Sequence, residues 1–295
     1  MQVLVTGGSG FIGRALCQQL LQAGHHPIVL TRDAQAAARR LPGVRLITAL
    51  DELERADAVV NLAGESLTQG RWNDHRKQAF RDSRIGTTRR LLAWLEQRQT
   101  RPAVLVSGSA IGYYGPRDDT PLDETAAPGS DFAAQLCRDW EAEAAKAADL
   151  GLRVCLLRTG IVLAADGGAL GKMLPPFRLG LGGPMGNGRQ WMSWVHRADL
   201  VRLIIWLIEH DDGSSGAYNA TAPQPVTNRE FAHTLGRVLR RPALLATPGP
   251  ALKLMFGEMA DLLLTGQRVV PQRAQAAGFE FGHRQLEEAL RDLLE

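Results

Sequence analysis

Lysine, cysteine, tyrosine and long apolar runs are all scarce in this chain, and each scarcity argues against a class of protein. Only Lys77, Lys146, Lys172 and Lys253 are lysine; the other basic residues are arginine, with doublets such as Arg39-Arg40, Arg89-Arg90 and Arg240-Arg241 scattered along helical segments. No basic run interleaves with aromatics, so the pattern describes solvated helix faces and no nucleic-acid partner is expected. The net charge of +3 suits an anionic small ligand. The three cysteines, Cys17, Cys137 and Cys155, form no CxxC and lie in apolar or helical segments, so buried free thiols are expected. The seven histidines make no ligand pair by spacing, and no metal site is expected. No apolar run approaches the ~20 residues that span a bilayer, so no membrane partner is expected. The opening "MQVLVTGG" reads as a strand without a leader pattern, which points to the cytoplasm.

What is present is a globular composition. A hydrophobic content of 45% over 295 residues supports one large domain, or a core domain with a smaller attachment. The first two-thirds alternates continuous apolar strands ("QVLVTG", "PIVLTR", "VRLITA", "AVVNLAG", "AVLVSGS", "RVCLLRTGIVL") with helical patterns, including a long one over 73–98. That alternation predicts an α/β fold: a doubly wound, Rossmann-type parallel sheet covered on both faces. After residue 163 the texture changes. A Gly/Pro-rich insertion near 164–190 carries one short helix, "WMSWVH" reads as a strand, and "ADLVRLIIWLIEH" as a buried helix with Asp199 in its first turn. Thr227 and Glu230 have capping-box spacing. We divide the chain into a dinucleotide-binding domain over 1–225 and a small, mostly helical substrate-side lobe over 226–295.

The most specific motif is "VTGGSGFIGRAL". It follows a strand and opens a helix, the setting in which glycines let a backbone turn tightly and approach a pyrophosphate at a helix N-terminus. Gly7, Gly10 and Gly13 carry that function. At the end of the second strand, Thr31 and Arg32 sit where a cofactor ribose is read. An arginine there matches a 2'-phosphate, so NADP(H) is favoured over NAD(H), although Asp33 follows at once.

The glycine loop, "NLAG" at 61–64 and "SGSA" at 107–110 together resemble the extended short-chain dehydrogenase/reductases, within the NAD-dependent epimerase/dehydratase superfamily. "NLAGESL", "SAIGYYG", "MLPPFRLGLGGP", "MSWVHRAD" and "LLLTGQRVVPQRAQAAGFEF" narrow the resemblance to the epimerase family proteins with a C-terminal domain of unknown function, over essentially the whole chain. The resemblance implies a Rossmann fold and an NADP(H) site. Besides the loop glycines, Phe11, Ile12, Leu62, Ala63, Gly64, Arg84 and Ser107 would then face the cofactor.

That superfamily ordinarily moves protons with a serine, a tyrosine and a lysine one helical turn after the tyrosine. Ser109 occupies a plausible serine position, with Ser107 as a close alternative. Where the tyrosine and lysine belong, however, the chain has Phe132 and Leu136, and neither can move a proton. Tyr113 and Tyr114 are two of only three tyrosines in the chain. They are either pocket wall or substitute catalysts, with Arg117 near enough in sequence to act on a phenol. On the substrate side the candidates are Lys172, Arg178, Gln190 and His196. The reading is an NADP(H)-dependent oxidoreductase or epimerase acting on a small polar molecule of the nucleotide-sugar kind. The alternatives are a non-catalytic NADP(H) sensor and a scaffold.

Overall fold

The apolar runs assemble into one parallel sheet. The structure is a computed structural model that describes residues 1–68, 70–210 and 214–295. Its strands are β1 (Gln2–Thr6), β2 (His26–Leu30), β3 (Arg45–Ile47), β4 (Ala58–Asn61), β5 (Val104–Ala110), β6 (Arg153–Thr159), β7 (Ile161–Ala164), β8 (Trp191–Met192), β9 (Trp194–His196), β10 (Gly216–Ala220) and β11 (Val226–Thr227). Seven of them pair in the order β10-β6-β5-β4-β1-β2-β3. Alternate residues of these strands point to opposite faces. Val3, Val5, Val60 and Val106 join one core, which includes Leu16 and Leu20 of the helix Phe11–Gln22 and Leu200 and Ile204 of the helix Arg197–Glu209. Leu4, Val59 and Leu105 join a second core with Leu91 and Leu95 of the helix Thr87–Glu96. Each fully buried Leu or Val contributes roughly 1.5–3 kcal/mol, so coverage of both faces is what holds the sheet.

The strand order reverses between β1 and β4. Loops at that point leave in opposite directions and open a crevice beyond the strand ends, where doubly wound sheets bind their ligands. The glycine loop and the 61–64 turn both lie there.

Three features depart from the expectations. "RVCLLRTGIVL" is two strands: the Gly160 amide donates to Ala220 of β10, whereas the next amide, Ile161, donates to Ser193 (2.9 Å), so β7 leaves the main sheet to pair with β9. "WMSWVH" likewise divides, β8 pairing with β11 and β9 with β7. Finally, β10 is a main-sheet edge strand that the reading above did not contain. Its sequence, "GAYNA", is short and has no apolar run to announce it.

The capping box is formed as its spacing requires. The Glu230 amide donates to Thr227 Oγ1 at 3.3 Å and the Thr227 amide to Glu230 Oε2 at 2.7 Å, opening the helix Asn228–Val238. That helix packs with Leu286–Leu294 around Phe231, Leu235 and Leu290. Thr227→Ala should therefore lower unfolding stability by about 1 kcal/mol, measured as a lower denaturant midpoint at unchanged m-value. None of the described helices is long and apolar enough to cross a membrane.

Candidate functional site

At the crevice, the loop after β1 is built around positions that exclude side chains. Gly7 has φ +69°, and a Cβ on it would lie 2.6 Å from the Leu62 carbonyl oxygen. A Cβ on Gly13 would collide with the Gly7 carbonyl and the Gly8 backbone. Leu62 and Ala63 are tied back to β1, their amides donating to the Thr6 carbonyl (3.1 Å) and Thr6 Oγ1 (3.2 Å). Beneath them the buried Asn61 accepts from Thr6 Oγ1 at 2.6 Å and donates to Thr88 Oγ1 at 2.9 Å. Phe11 packs on Gly167 and Gly168, so the loop also touches the segment that follows β7. The half-buried Ile12 packs against the first core.

The end of β2 resolves the competition between Arg32 and Asp33. Asp33 Oδ1 accepts the Ala36 amide at 2.9 Å and caps the short helix Ala34–Ala38. Thr31 Oγ1 accepts the Asp33 amide. The acid is thus committed to local structure. Arg32 is exposed, and among the described residues its guanidinium has no hydrogen-bond or ion-pair partner. Arg14, in the first turn of the helix after the loop, is likewise without an ion-pair partner among the described residues. The sequence reading did not single it out.

Arg84 lies in a π-helical turn, Asp82–Gly86, between the helices Asp74–Arg81 and Thr87–Glu96. The turn aims its side chain at Gly64, where a Cβ would stand 3.0 Å from the guanidinium carbon. Arg84 donates to the Glu65 carbonyl at 3.0 Å and lies over the Trp140 ring. Burial pushes its pKa down, against the pull of Cys137 and Glu65. Ser107, in register with Asn61, is fully buried, and its Oγ has no hydrogen-bond partner among the described residues.

Beyond β5 a buried polar chain occupies the place expected for proton-transfer chemistry. Ser109 Oγ donates to Glu141 Oε1 at 2.6 Å. Glu141 is held from its other side by Arg158, Nε to Oε1 and Nη2 to Oε2, both at 2.9 Å. Arg158 Nη1 donates to Tyr114 Oη at 3.0 Å, and Tyr114 Oη donates to Asn219 Oδ1 at 2.7 Å. Asn219 passes the chain on to the Val270 carbonyl. Burial works against the charge on Arg158, but Glu141 and Tyr114 overcome it and raise its pKa.

This arrangement separates the two tyrosines. Tyr114 has no exposed surface, burial pushes its phenol up to about 12, and its hydroxyl is held between Arg158 and Asn219. Tyr113 is half-buried, with the Arg158 guanidinium carbon 3.5 Å from its ring centroid. Its hydroxyl has no hydrogen-bond partner among the described residues. Arg117 does not act on either phenol: it donates to the carbonyls of Tyr114 (2.9 Å) and Ala127 (2.8 Å) and clamps the turn. Phe132 opens the helix Phe132–Ala145 and packs edge-on against Trp72 at 5.4 Å; Leu136 is buried. Glu141, Arg158 and Asn219 were missed at the sequence level. The available signals were an arginine inside the apolar run "CLLRTG" and an acid on the buried face of a helix, because a buried charge demands a partner.

The four substrate-side candidates do not converge. Lys172 Nζ donates to Thr68 Oγ1 at 2.9 Å and spans from the insertion to the loop after β4. Arg178 is exposed, and its backbone carbonyl accepts from Arg241. Gln190 Nε2 donates to the carbonyls of Met185 (3.0 Å) and Leu263 (2.8 Å), while its Oε1 is buried without a partner among the described residues. His196 is turned away into a cluster with His283 and Asp292 of the tail.

A seven-stranded parallel sheet with a glycine-rich loop at its reversal point defines a Rossmann-type dinucleotide-binding protein. A profile of the NAD dependent epimerase/dehydratase family matches residues 3–221, and one of a domain of unknown function (DUF1731) matches residues 247–293. The chain belongs to the NAD dependent epimerase/dehydratase family. It is similar to the chloroplastic epimerase family protein SDR39U1 homolog of Arabidopsis thaliana, with 41% identity covering 100% of this chain and 87% of that protein. It is also similar to the epimerase family protein SDR39U1 of Mus musculus, with 38% identity and full coverage of both chains. Among solved structures, human SDR39U1 (isoform 2), crystallised with NADPH, superposes with a TM-score of 0.91 at 37% identity over 99% of each chain.

Proposed function

We propose that this protein binds NADP(H) and acts as an oxidoreductase or epimerase on a small polar molecule that presents a hydroxyl. The observation that carries the cofactor choice is the division of labour after β2: Asp33 is consumed as a helix cap, and Arg32 is left free beside a glycine cradle. The NADPH in the human SDR39U1 crystal structure supports the same choice. The residues fit such a cofactor. Gly7, Gly10 and Gly13 admit a pyrophosphate at a helix N-terminus, and Arg32 can pair with a 2'-phosphate. Ser107 offers an unpaired buried hydroxyl, a group that ordinarily finds a partner. When bound, the cofactor supplies hydride acceptance or donation.

The chain's own residues then handle the oxygen and the proton. Ser109 has committed its hydrogen to Glu141, so its oxygen can only accept. It favours a hydroxyl donor over a carbonyl. Tyr113 holds the free phenol of the pair and is the residue to exchange the proton. A second reading, a non-catalytic NADP(H) binder, is favoured by one observation: Phe132 and Leu136 stand where the family's tyrosine and lysine belong, and Leu136 is sealed in the core.

Titration of the purified protein with NADPH and NADH, followed by cofactor fluorescence, tests the first part. NADPH should bind at least about 10-fold more tightly, the smaller effect of one charge-assisted contact. Equal binding of the two, or none, overturns the assignment. Oxidation of polar alcohols by the NADP+-loaded protein, followed at the reduced-nicotinamide absorbance, separates the two readings. Turnover that Tyr113→Phe abolishes supports the enzyme, and silence across the panel with normal cofactor binding supports the binder.

A further inference from the structure

Far from the crevice residues in sequence, and outside the chemistry proposed above, a second group of ligating side chains meets. We propose that His196, His283 and Asp292 form a binding site for one divalent transition-metal ion of the zinc type. The two imidazole rings stack with centroids 3.8 Å apart and planes 25° apart. Both Nε2 atoms face the same carboxylate oxygen: Asp292 Oδ2 lies 3.3 Å from that of His196 and 3.6 Å from that of His283. The three ligand atoms fall within 4.8 Å of one another. Two imidazole nitrogens and one carboxylate oxygen make a mixed N/O set that suits zinc and its neighbours rather than magnesium or calcium. Three protein ligands leave a fourth position for water.

The surroundings prepare the His283 nitrogen for an ion. His283 Nδ1 lies 3.2 Å from Asp199 Oδ2, and Asp199 is itself fixed by the amides of Gly282 (2.9 Å) and His283 (2.8 Å) and by Arg202. A carboxylate behind one ring nitrogen sets the tautomer that offers the other nitrogen's lone pair, as at metal-bound histidines. His196 is 5% exposed, and its Nε2 is buried without a hydrogen bond of good geometry among the described residues. Two things must change: the stacked rings must tilt apart until both in-plane Nε2 lone pairs point at one ion, and one backbone contact must be released. His196 Nδ1 accepts the Ala198 amide at 3.2 Å, and metal on Nε2 moves the proton to Nδ1 and releases that amide. Ala198 is exposed, so the amide then bonds to water.

An ion here joins the end of β9 to two points of the C-terminal tail and acts as a clip on that tail. The test uses full-length protein without a histidine tag, stripped with EDTA and titrated calorimetrically with Zn2+. Co2+ serves as a spectroscopic probe of N/O coordination, and Mg2+ as the control. One Zn2+ per chain should bind and raise the thermal midpoint, with no heat from Mg2+. His283→Ala should abolish binding. Asp292→Asn, at a largely exposed side chain that leaves the fold intact, should weaken it at least about 10-fold. Absence of Zn2+ binding to the stripped wild type, or affinity unchanged in both variants, overturns the proposal. Neither result bears on NADP(H) binding, which is read independently.

Discussion

Arg158→Met should lower the thermal midpoint on the order of 10 °C, the largest stability loss expected of any substitution outside the apolar core. Arg158 and Glu141 are both under a tenth exposed and share two hydrogen bonds of 2.9 Å. Removing one member strands the other in a low-dielectric interior, which costs about 3–5 kcal/mol. The cost spreads, because Arg158 also donates to Tyr114 and to the Glu124 carbonyl at 3.1 Å, so β6, the turn after β5 and the 124 region loosen together. The cause can be separated from simple loss of packing. The double variant Arg158→Met with Glu141→Leu should recover most of the loss, since replacing both charges by apolar groups of similar volume is often neutral. Thermal unfolding of the three proteins decides the matter: equal midpoints for single and double variants would mean that the ion pair is not the source.

Arg32→Ala should weaken NADPH binding about 10- to 100-fold and leave NADH binding unchanged. A charge-assisted, bidentate contact to a phosphate contributes roughly 1.5–3 kcal/mol, and only NADPH has a phosphate at that position. Because Arg32 is exposed, the effect should shrink as salt is raised. Asp33→Ala is the internal control. Its side chain caps Ala34–Ala38, so that variant should lose local helix stability without gaining or losing cofactor preference. Fluorescence titrations of both variants with both cofactors, at low and high salt, provide the comparison. Parallel losses for NADPH and NADH in Arg32→Ala would place the arginine elsewhere than on the 2'-phosphate.

Much of the cofactor side was legible because its causes are local. A Cβ on Gly7 or Gly13 meets backbone from the same loop or the neighbouring turn, and strand-loop-helix spacing alone announces that geometry. The Thr227–Glu230 box closes within one helical turn. The parallel sheet followed from apolar runs separated by helical periods. The missing dyad was also visible, since Phe132 and Leu136 are simply the wrong chemistry. Asp33 marks the boundary of this kind of reading. Its cap on Ala36 is only three residues away, yet whether Asp33 faces a helix or a ribose depends on a backbone turn that residue identity does not state.

Tertiary structure decided everything that required distant groups to meet. Tyr113 and Tyr114 are adjacent and identical, and only the fold seals one between Arg158 and Asn219 while leaving the other half-buried beneath the Arg158 guanidinium. The network from Ser109 to Asn219 draws on β5, a helix, β6 and β10, and the last of these had no apolar pattern to reveal it. His196 is a substrate-side candidate by sequence, and only the fold shows that it stacks on His283 of the tail. Local sequence determines what the backbone can do at each point, because sterics and hydrogen bonding act over a few residues. Which buried charges and ring nitrogens find one another is set by the packing of separate elements, and that information lies in the core as a whole.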